Sequence, residues 1–218
     1  MIEIIPIISD SNCYLLKNDN NFILFDTGFK SKRNYIEKKL DKSGVTQENL
    51  KLIILSHGDV DHADNALFFK DKYNTKIAMN KLDEIMVTKG DMTYNRKKTP
   101  DKISPFFKLI IFLSNLSFKK EKFDCFTPDL FVEDGYSLTN FGFDATIIET
   151  PGHSAGSVSL LTKNGDLLCG DLFYNLVKPT CLMIDDMEKY NISLKKLEKL
   201  NINIVYPGHG KPFKYNRG

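Results

Sequence analysis

Four side chains that can bind a metal lie within six residues of Ser56-His57-Gly58-Asp59-Val60-Asp61-His62. Histidine offers a neutral nitrogen and aspartate an anionic oxygen, a mixture suited to zinc, iron or manganese. The remaining histidines repeat the theme. His153 sits in Thr150-Pro151-Gly152-His153-Ser154-Ala155-Gly156, and His209 in Tyr206-Pro207-Gly208-His209-Gly210. Glycine and proline turn the backbone sharply at both places and expose the imidazole. Cys169-Gly170-Asp171 adds a further carboxylate. The chain has 4 histidines in all, so none is left for ordinary core or surface duty. Metal-assisted hydrolysis is the chemistry such a set serves, because a bound cation acidifies water and takes up negative charge.

Each of these groups follows a β-like segment. The apolar run 51–55 precedes the first cluster, 146–149 precedes His153, 166–169 precedes Asp171, and 202–206 precedes His209. A turn at the end of a strand can aim alternate side chains into one hollow, which a packed helix could not do at this spacing. Strands are also expected at 2–8, 13–17, 22–26, 76–79, 130–132, 136–138, 143–149 and 157–162. Asp134-Gly135 reads as a hairpin turn, and 163–165 as another. Helices are expected at 30–42, 63–73 and 186–200, and 203–205 reads as the last strand. Asp26-Thr27-Gly28 ends the third strand, where Asp26 either caps the following helix or supports the metal floor. Composition and periodicity alone indicate α/β or α+β.

The stretch 81–129 breaks the pattern. Residues 81–89 read as helix and 90–99 as a polar loop carrying Asp91, Tyr94 and Arg96. Residues 104–118 are apolar on nearly all sides, with lysines flanking them at Lys102, Lys119, Lys120 and Lys122. Such a helix must be buried on more than one face. It could be a lid, a homodimer contact, an interfacial membrane helix or packing under a loop. In the lid or dimer reading, Met86, Met92, Tyr94 and Phe107 line an apolar substrate pocket.

The order His57-x-Asp59-x-Asp61-His62, then His153, Asp171 and His209, with Asp26-Thr27-Gly28 near the start, resembles the metallo-β-lactamase superfamily. The resemblance implies one domain over 1–218 with the α+β four-layer αβ/βα sandwich and a variable helical insert at about 81–129. It implies a binuclear centre with His57, Asp59 and His153 in site one, Asp61, His62 and His209 in site two, and Asp171 bridging. The superfamily's first motif is H-x-H-x-D-H, so Asp59 stands where a histidine is usual. A harder anionic ligand there tilts preference from zinc towards iron or manganese. Flavodiiron reductases carry a glutamate at that place, but no flavodoxin-like domain is present here.

By the same resemblance the chain is a hydrolase that directs a metal-bound hydroxide at an ester, thioester, lactone or similar acyl substrate. Asp61 orients the nucleophile or takes a proton. Tyr174, at the spacing found in acyl-homoserine lactonases, donates to the developing oxyanion. A phosphodiesterase or a di-iron redox protein of the same fold is the alternative. Glyoxalase II-like enzymes carry a C-terminal helical region, whereas this chain stops nine residues after His209. Transfer-RNA processing relatives carry a basic arm, which the apolar middle of the insert does not resemble.

Composition sets the outer limits. A chain of 218 residues, 42% apolar and 27% charged, fits one soluble domain with a substantial core. Its net charge of +2 and the lack of an arginine stripe argue against nucleic acid. The 4 cysteines show no C-x-x-C spacing and suit a reducing cytosol, so a cytoplasmic location is expected. The start reads as a strand and not as a signal peptide, and no apolar run reaches the length of a membrane span.

Overall fold

The computed structural model describes residues 1–105, 108 and 123–216. Strands β1 (Glu3–Ile7), β2 (Cys13–Asn18) and β3 (Asn21–Phe25) form an antiparallel meander. Helix α1 (Arg33–Lys42) then carries the chain to β4 (Leu50–Ile54), parallel to β3. Helices α2 (Val60–Ala63) and α3 (Ala66–Tyr73) carry it to β5 (Ile77–Met79), parallel to β4. Parallel neighbours need such crossovers, since a tight turn cannot return the chain to the same end. After α4 (Glu84–Lys89) and β6 (Lys102–Ile103), β7 (Leu130–Phe131) completes a six-stranded sheet in the order β1-β2-β3-β4-β5-β7.

The second half contributes β8 (Ala145–Glu149), β9 (Val158–Thr162), β10 (Asp166–Leu168), β11 (Tyr174–Asn175) and β12 (Met183–Ile184). Helix α5 (Met187–Leu197) follows, then β13 (Ile204–Tyr206), β14 (His209–Gly210) and β15 (Phe213–Lys214). Five of these strands make a second sheet in the order β15-β13-β10-β9-β8.

Side-chain alternation builds the layers. In β3, Phe22 and Leu24 join Ile36, Leu40 and Phe69 of the helices, while Ile23 and Phe25 join Ile147, Val158 and Leu160 of the facing sheet. Both faces of this strand are therefore buried, as an uninterrupted apolar run requires. A third cluster sets Leu167 and Val205 against Tyr190 and Leu197 of α5. Helix, sheet, sheet and helix thus stack as the expected α+β four-layer sandwich. No helix among the described residues is long and apolar enough to cross a membrane.

Several local expectations need correction. The turn at Asp134-Gly135 forms, but it does not join a hairpin. Leu130 and Phe131 pair with β5 in the first sheet, whereas Ser137 bridges Thr146 in the second. The helix expected at 63–73 starts earlier and breaks after Ala63. At the break, Asn65 Nδ2 lies 2.9, 3.0 and 2.9 Å from the carbonyls of Thr27, Gly28 and Phe29, so that side chain ties the neighbouring turn instead of extending a helix. The strand at 204–206 is followed by two more short ones. Met86 is fully buried beneath Gly58 and faces no open pocket, while Met92 and Tyr94 are exposed. The apolar stretch 104–118, with Phe107 and the proposed dimer contact, lies almost wholly outside the described residues.

Candidate metal centre

Every potential ligand follows the C-terminal end of a strand. His57 and Asp59 lie in the turn after β4, and Asp61 and His62 in the opening of α2. His153 follows β8, Asp171 follows β10 and His209 follows β13. The two sheets face one another, so these ends meet along one edge of the sandwich, and the seven side chains converge there.

They form two groups that share one carboxylate. Asp61, His62, Asp171 and His209 can each offer a ligand atom within 4.8 Å of all the others, and His57, His153 and Asp171 do the same. Asp171 Oδ1 lies 3.1 Å from His62 Nε2 and 3.4 Å from His209 Nε2, and its Oδ2 lies 3.6 Å from His153 Nε2. Asp61 Oδ2 is 3.5 Å from His62 Nε2 and 3.2 Å from His209 Nε2. Asp59 Oδ2 adjoins the other group, 3.4 Å from His57 Nε2 and 3.1 Å from His153 Nε2. Spacings of this size are those of donor atoms around a cation held by bonds of about 2.0–2.2 Å.

The far side of each imidazole decides what its near side can do. His153 Nδ1 lies 3.0 Å from Met183 O, and His209 Nδ1 lies 2.6 Å from Asp10 O. A carbonyl only accepts, so both Nδ1 atoms carry the hydrogen. His62 Nδ1 donates to Asp26 Oδ2 at 2.9 Å. Ser56 Oγ donates to Asp26 Oδ2 at 2.8 Å and therefore accepts from His57 Nδ1, also 2.8 Å away. In the neutral rings that a metal requires, all four Nε2 atoms are then left with lone pairs turned to the centre. Asp26 holds its place against backbone cost, with φ of 60° in the left-handed region. Its Oδ1 accepts from Ser56 N at 2.7 Å, and its own amide donates to Ile54 O at 2.8 Å.

The donor set fits a divalent cation. His57 Nε2 and Asp171 Oδ1 are buried without a hydrogen-bond partner. Asp171 Oδ1 lacks a donor despite the nearby imidazoles, because both of those give their hydrogen elsewhere. Unpartnered buried acceptors of this kind are costly unless something positive faces them. The local field agrees. Burial would push the His209 imidazole down, yet Asp171 and Asp61 outweigh it and lift the group to about 10. For His153, burial and Arg96 push down, but Asp59 and Asp171 prevail and bring it to about 10. Positive charge is stabilised on this edge, whether carried by protons or by metal.

Tyr174 is buried, stacks on His209 with ring centroids 4.7 Å apart, and donates its hydroxyl to Asp171 Oδ2. The last turn is tied to the first loop: Asn12 N donates to Gly208 O at 2.7 Å, and Asn12 Nδ2 reaches Pro207 O at 3.0 Å and Gly210 O at 2.8 Å.

Three contributors escaped the sequence reading. Ser56 links His57 to Asp26, and its neighbours in the motif drew all the notice. Asp83 is fully buried and accepts from Ser154 Oγ at 2.6 Å and Gly156 N at 2.8 Å, joining the loop of His153 to that of Gly58. Arg96 donates through one amino nitrogen to Asp59 Oδ1 and through the other to His153 O. Nothing local marks Asp83 or Arg96, because each pairs with residues far along the chain. For Arg96, the only available signal was an unusual acid at 59 that needed a counterion.

A family model described as the metallo-beta-lactamase superfamily matches residues 8–209. A Caenorhabditis elegans protein named beta-lactamase-like protein 2 homolog is 26% identical over 204 residues, 93% of this chain and 57% of its own length, so this chain spans little more than half of that relative. A Haemophilus influenzae protein named hydroxyacylglutathione hydrolase is 28% identical over 217 residues, covering 96% of this chain and 90% of that one. Among solved structures, a metallo-beta-lactamase family protein from Thermus thermophilus superposes with a TM-score of 0.70 at 22% identity, covering 99% of this chain and 75% of the other.

Proposed function

This chain belongs to the metallo-beta-lactamase superfamily, and from that premise we propose that it is a binuclear metal-dependent hydrolase of an acyl compound: an ester, thioester or lactone. In this reading His57, Asp59 and His153 would hold one divalent cation, Asp61, His62 and His209 would hold the other, and Asp171 would contribute to both. The observation that carries it is the set of four Nδ1 donors, which leaves four Nε2 lone pairs and an unpartnered Asp171 oxygen facing one another. Zinc is the first choice for the metal, with iron or manganese made competitive by Asp59. A cytoplasmic location belongs to the same reading, supported by four free cysteines.

When bound, a pair of divalent ions supplies an acidified water and a sink for negative charge. The chain's own groups do the rest. Asp61 accepts a proton as water adds to the carbonyl carbon and returns it to the leaving oxygen or sulfur as the acyl bond breaks. The Tyr174 hydroxyl, which donates to Asp171, would turn as a neutral donor to charge developing on the carbonyl oxygen. Tyr174→Phe is expected to lower kcat by about tenfold to a hundredfold with metal content unchanged, measured by steady-state kinetics beside elemental analysis.

Among acyl compounds, a thioester stands first. The name of the Haemophilus relative implies one, and this chain covers 90% of that protein. The test pairs metal content of protein purified without added metal with a panel of hydroxyacyl thioesters, lactones, nitrophenyl esters and bis-nitrophenyl phosphate. Acyl turnover lost to a chelator and restored by metal is the expected result. A protein that binds no metal, or hydrolyses only the phosphodiester, would overturn the reading.

A further inference from the structure

The two ligand groups differ in one respect that their histidines do not reveal. Asp59 Oδ2 faces His57 and His153, while its Oδ1 accepts from Arg96. The Arg96 side chain is only 9% exposed, and the nitrogen that serves Asp59 also lies 3.5 Å from His153 Nε2. A guanidinium keeps its charge at any working pH. Its position is fixed by the loop around it: Lys97 N donates to Asp185 Oδ1 at 3.0 Å, and Asn95 Nδ2 to Leu82 O at 2.6 Å. The other group has no such neighbour. Among the described residues no lysine or arginine pairs with Asp61 or Asp171.

We propose that Arg96 is a built-in cation that makes the two metal positions unequal: the position of Asp61, His62 and His209 fills first and tightly, and that of His57, Asp59 and His153 fills second and weakly. This rests on the proposed metal-binding roles. Two effects point the same way. A fixed positive charge in contact with two ligands of one position repels a second cation there, and burial leaves little water to screen it. Arg96 also draws on the Asp59 carboxylate that would otherwise be given whole to the metal. The pair explains itself as a unit: an acid and a guanidinium together carry the net charge of the neutral histidine usual at position 59.

Arg96 is a positioning and charge-setting residue, so its test reads metal affinity and not turnover. Metal-free protein is titrated with Zn²⁺, and separately with Mn²⁺, by calorimetry against a competing chelator. Wild type is expected to bind one equivalent tightly and a second at least tenfold more weakly. His209→Ala should remove the tight equivalent, and His57→Ala the weak one. Arg96→Met should strengthen the second equivalent tenfold or more and leave the first within about twofold. Arg96→Lys keeps the charge and should keep the inequality, which guards against a variant that merely fails to fold. Equal affinities in wild type, an unchanged second step in Arg96→Met, or a weakened one would each overturn the proposal while the metal centre stands. Absence of even the first equivalent would instead overturn the metal-binding reading beneath it.

Discussion

Asp26 serves both halves of the centre from beneath. One oxygen receives His62 Nδ1 and Ser56 Oγ, and through Ser56 it also governs His57. Asparagine tolerates the same left-handed backbone but cannot accept at its amide nitrogen. Asp26→Asn is therefore expected to keep the fold and to weaken metal binding by about tenfold to a hundredfold. A chelator competition, run beside a circular dichroism spectrum, checks both halves of that statement. At this scale the sequence was most readable where ligands sit in local patterns, as in His57 to His62 or the two Pro-Gly-His turns. It was least readable where a role depends on a distant partner. Asp26 could be narrowed to two roles, and the structure shows it orienting the histidines. Asp83 looked like any acid in a helix, and Arg96 like any base in a loop.

Loops between strands hold the candidate ligands, and their tolerances are narrow. Gly208 precedes His209 and passes so close to the Asp171 carboxylate that a methyl group would run into its Oδ1. Gly208→Ala should displace Asp171 and strip metal from both positions, while the buried sheets keep the protein folded; elemental analysis and a thermal melt check this. The far end of the first sheet has its own tie. Asp129 accepts from Ile77 N at 2.8 Å and Lys70 Nζ at 2.7 Å, fastening β7 beside β5. Burial would raise this carboxyl, but Lys70 and the Ile77 amide outweigh it and hold it below its ordinary value. The folded state thus favours the ionised form. Its stabilisation is complete above about pH 4, the unfolded value, and disappears as pH falls through the lower folded value. Asp129→Asn should cost about 1 kcal/mol at pH 7 and progressively less as pH falls below about 4, measured by urea unfolding across that range.

Turn chemistry at this scale is easily misread. Asp134-Gly135 turns the chain whether its flanks pair with each other or part for different sheets. Only long-range pairing decides, so the expected hairpin became a crossing from one sheet to the next. Apolar runs such as 51–55 were more faithful, because burial on both faces leaves a mark in every residue.

The whole molecule divides its candidate ligands between halves. His57, Asp59, Asp61 and His62 come with the first sheet, and His153, Asp171 and His209 with the second. A cation held between them would bind only when the sheets are docked, so its binding would add directly to stability. At a free metal concentration about a hundredfold above Kd the gain is about 2.7 kcal/mol. For a chain of this size that corresponds to a rise in Tm of roughly 5–10 °C. Removing metal with a chelator should lower Tm by that amount, and added metal should restore it, as calorimetric scans would show. Alternation of apolar residues could not choose among α/β and α+β arrangements. The four layers were legible only through the family resemblance that the order of motifs carries.

Asn12 and Asp10 grip the turn that carries His209. During synthesis the residues that receive this turn leave the ribosome before it, and the turn itself follows almost two hundred residues later. A nascent polypeptide therefore lacks both His209 and the turn that presents it until that last segment has emerged and closed onto Asn12 and Asp10.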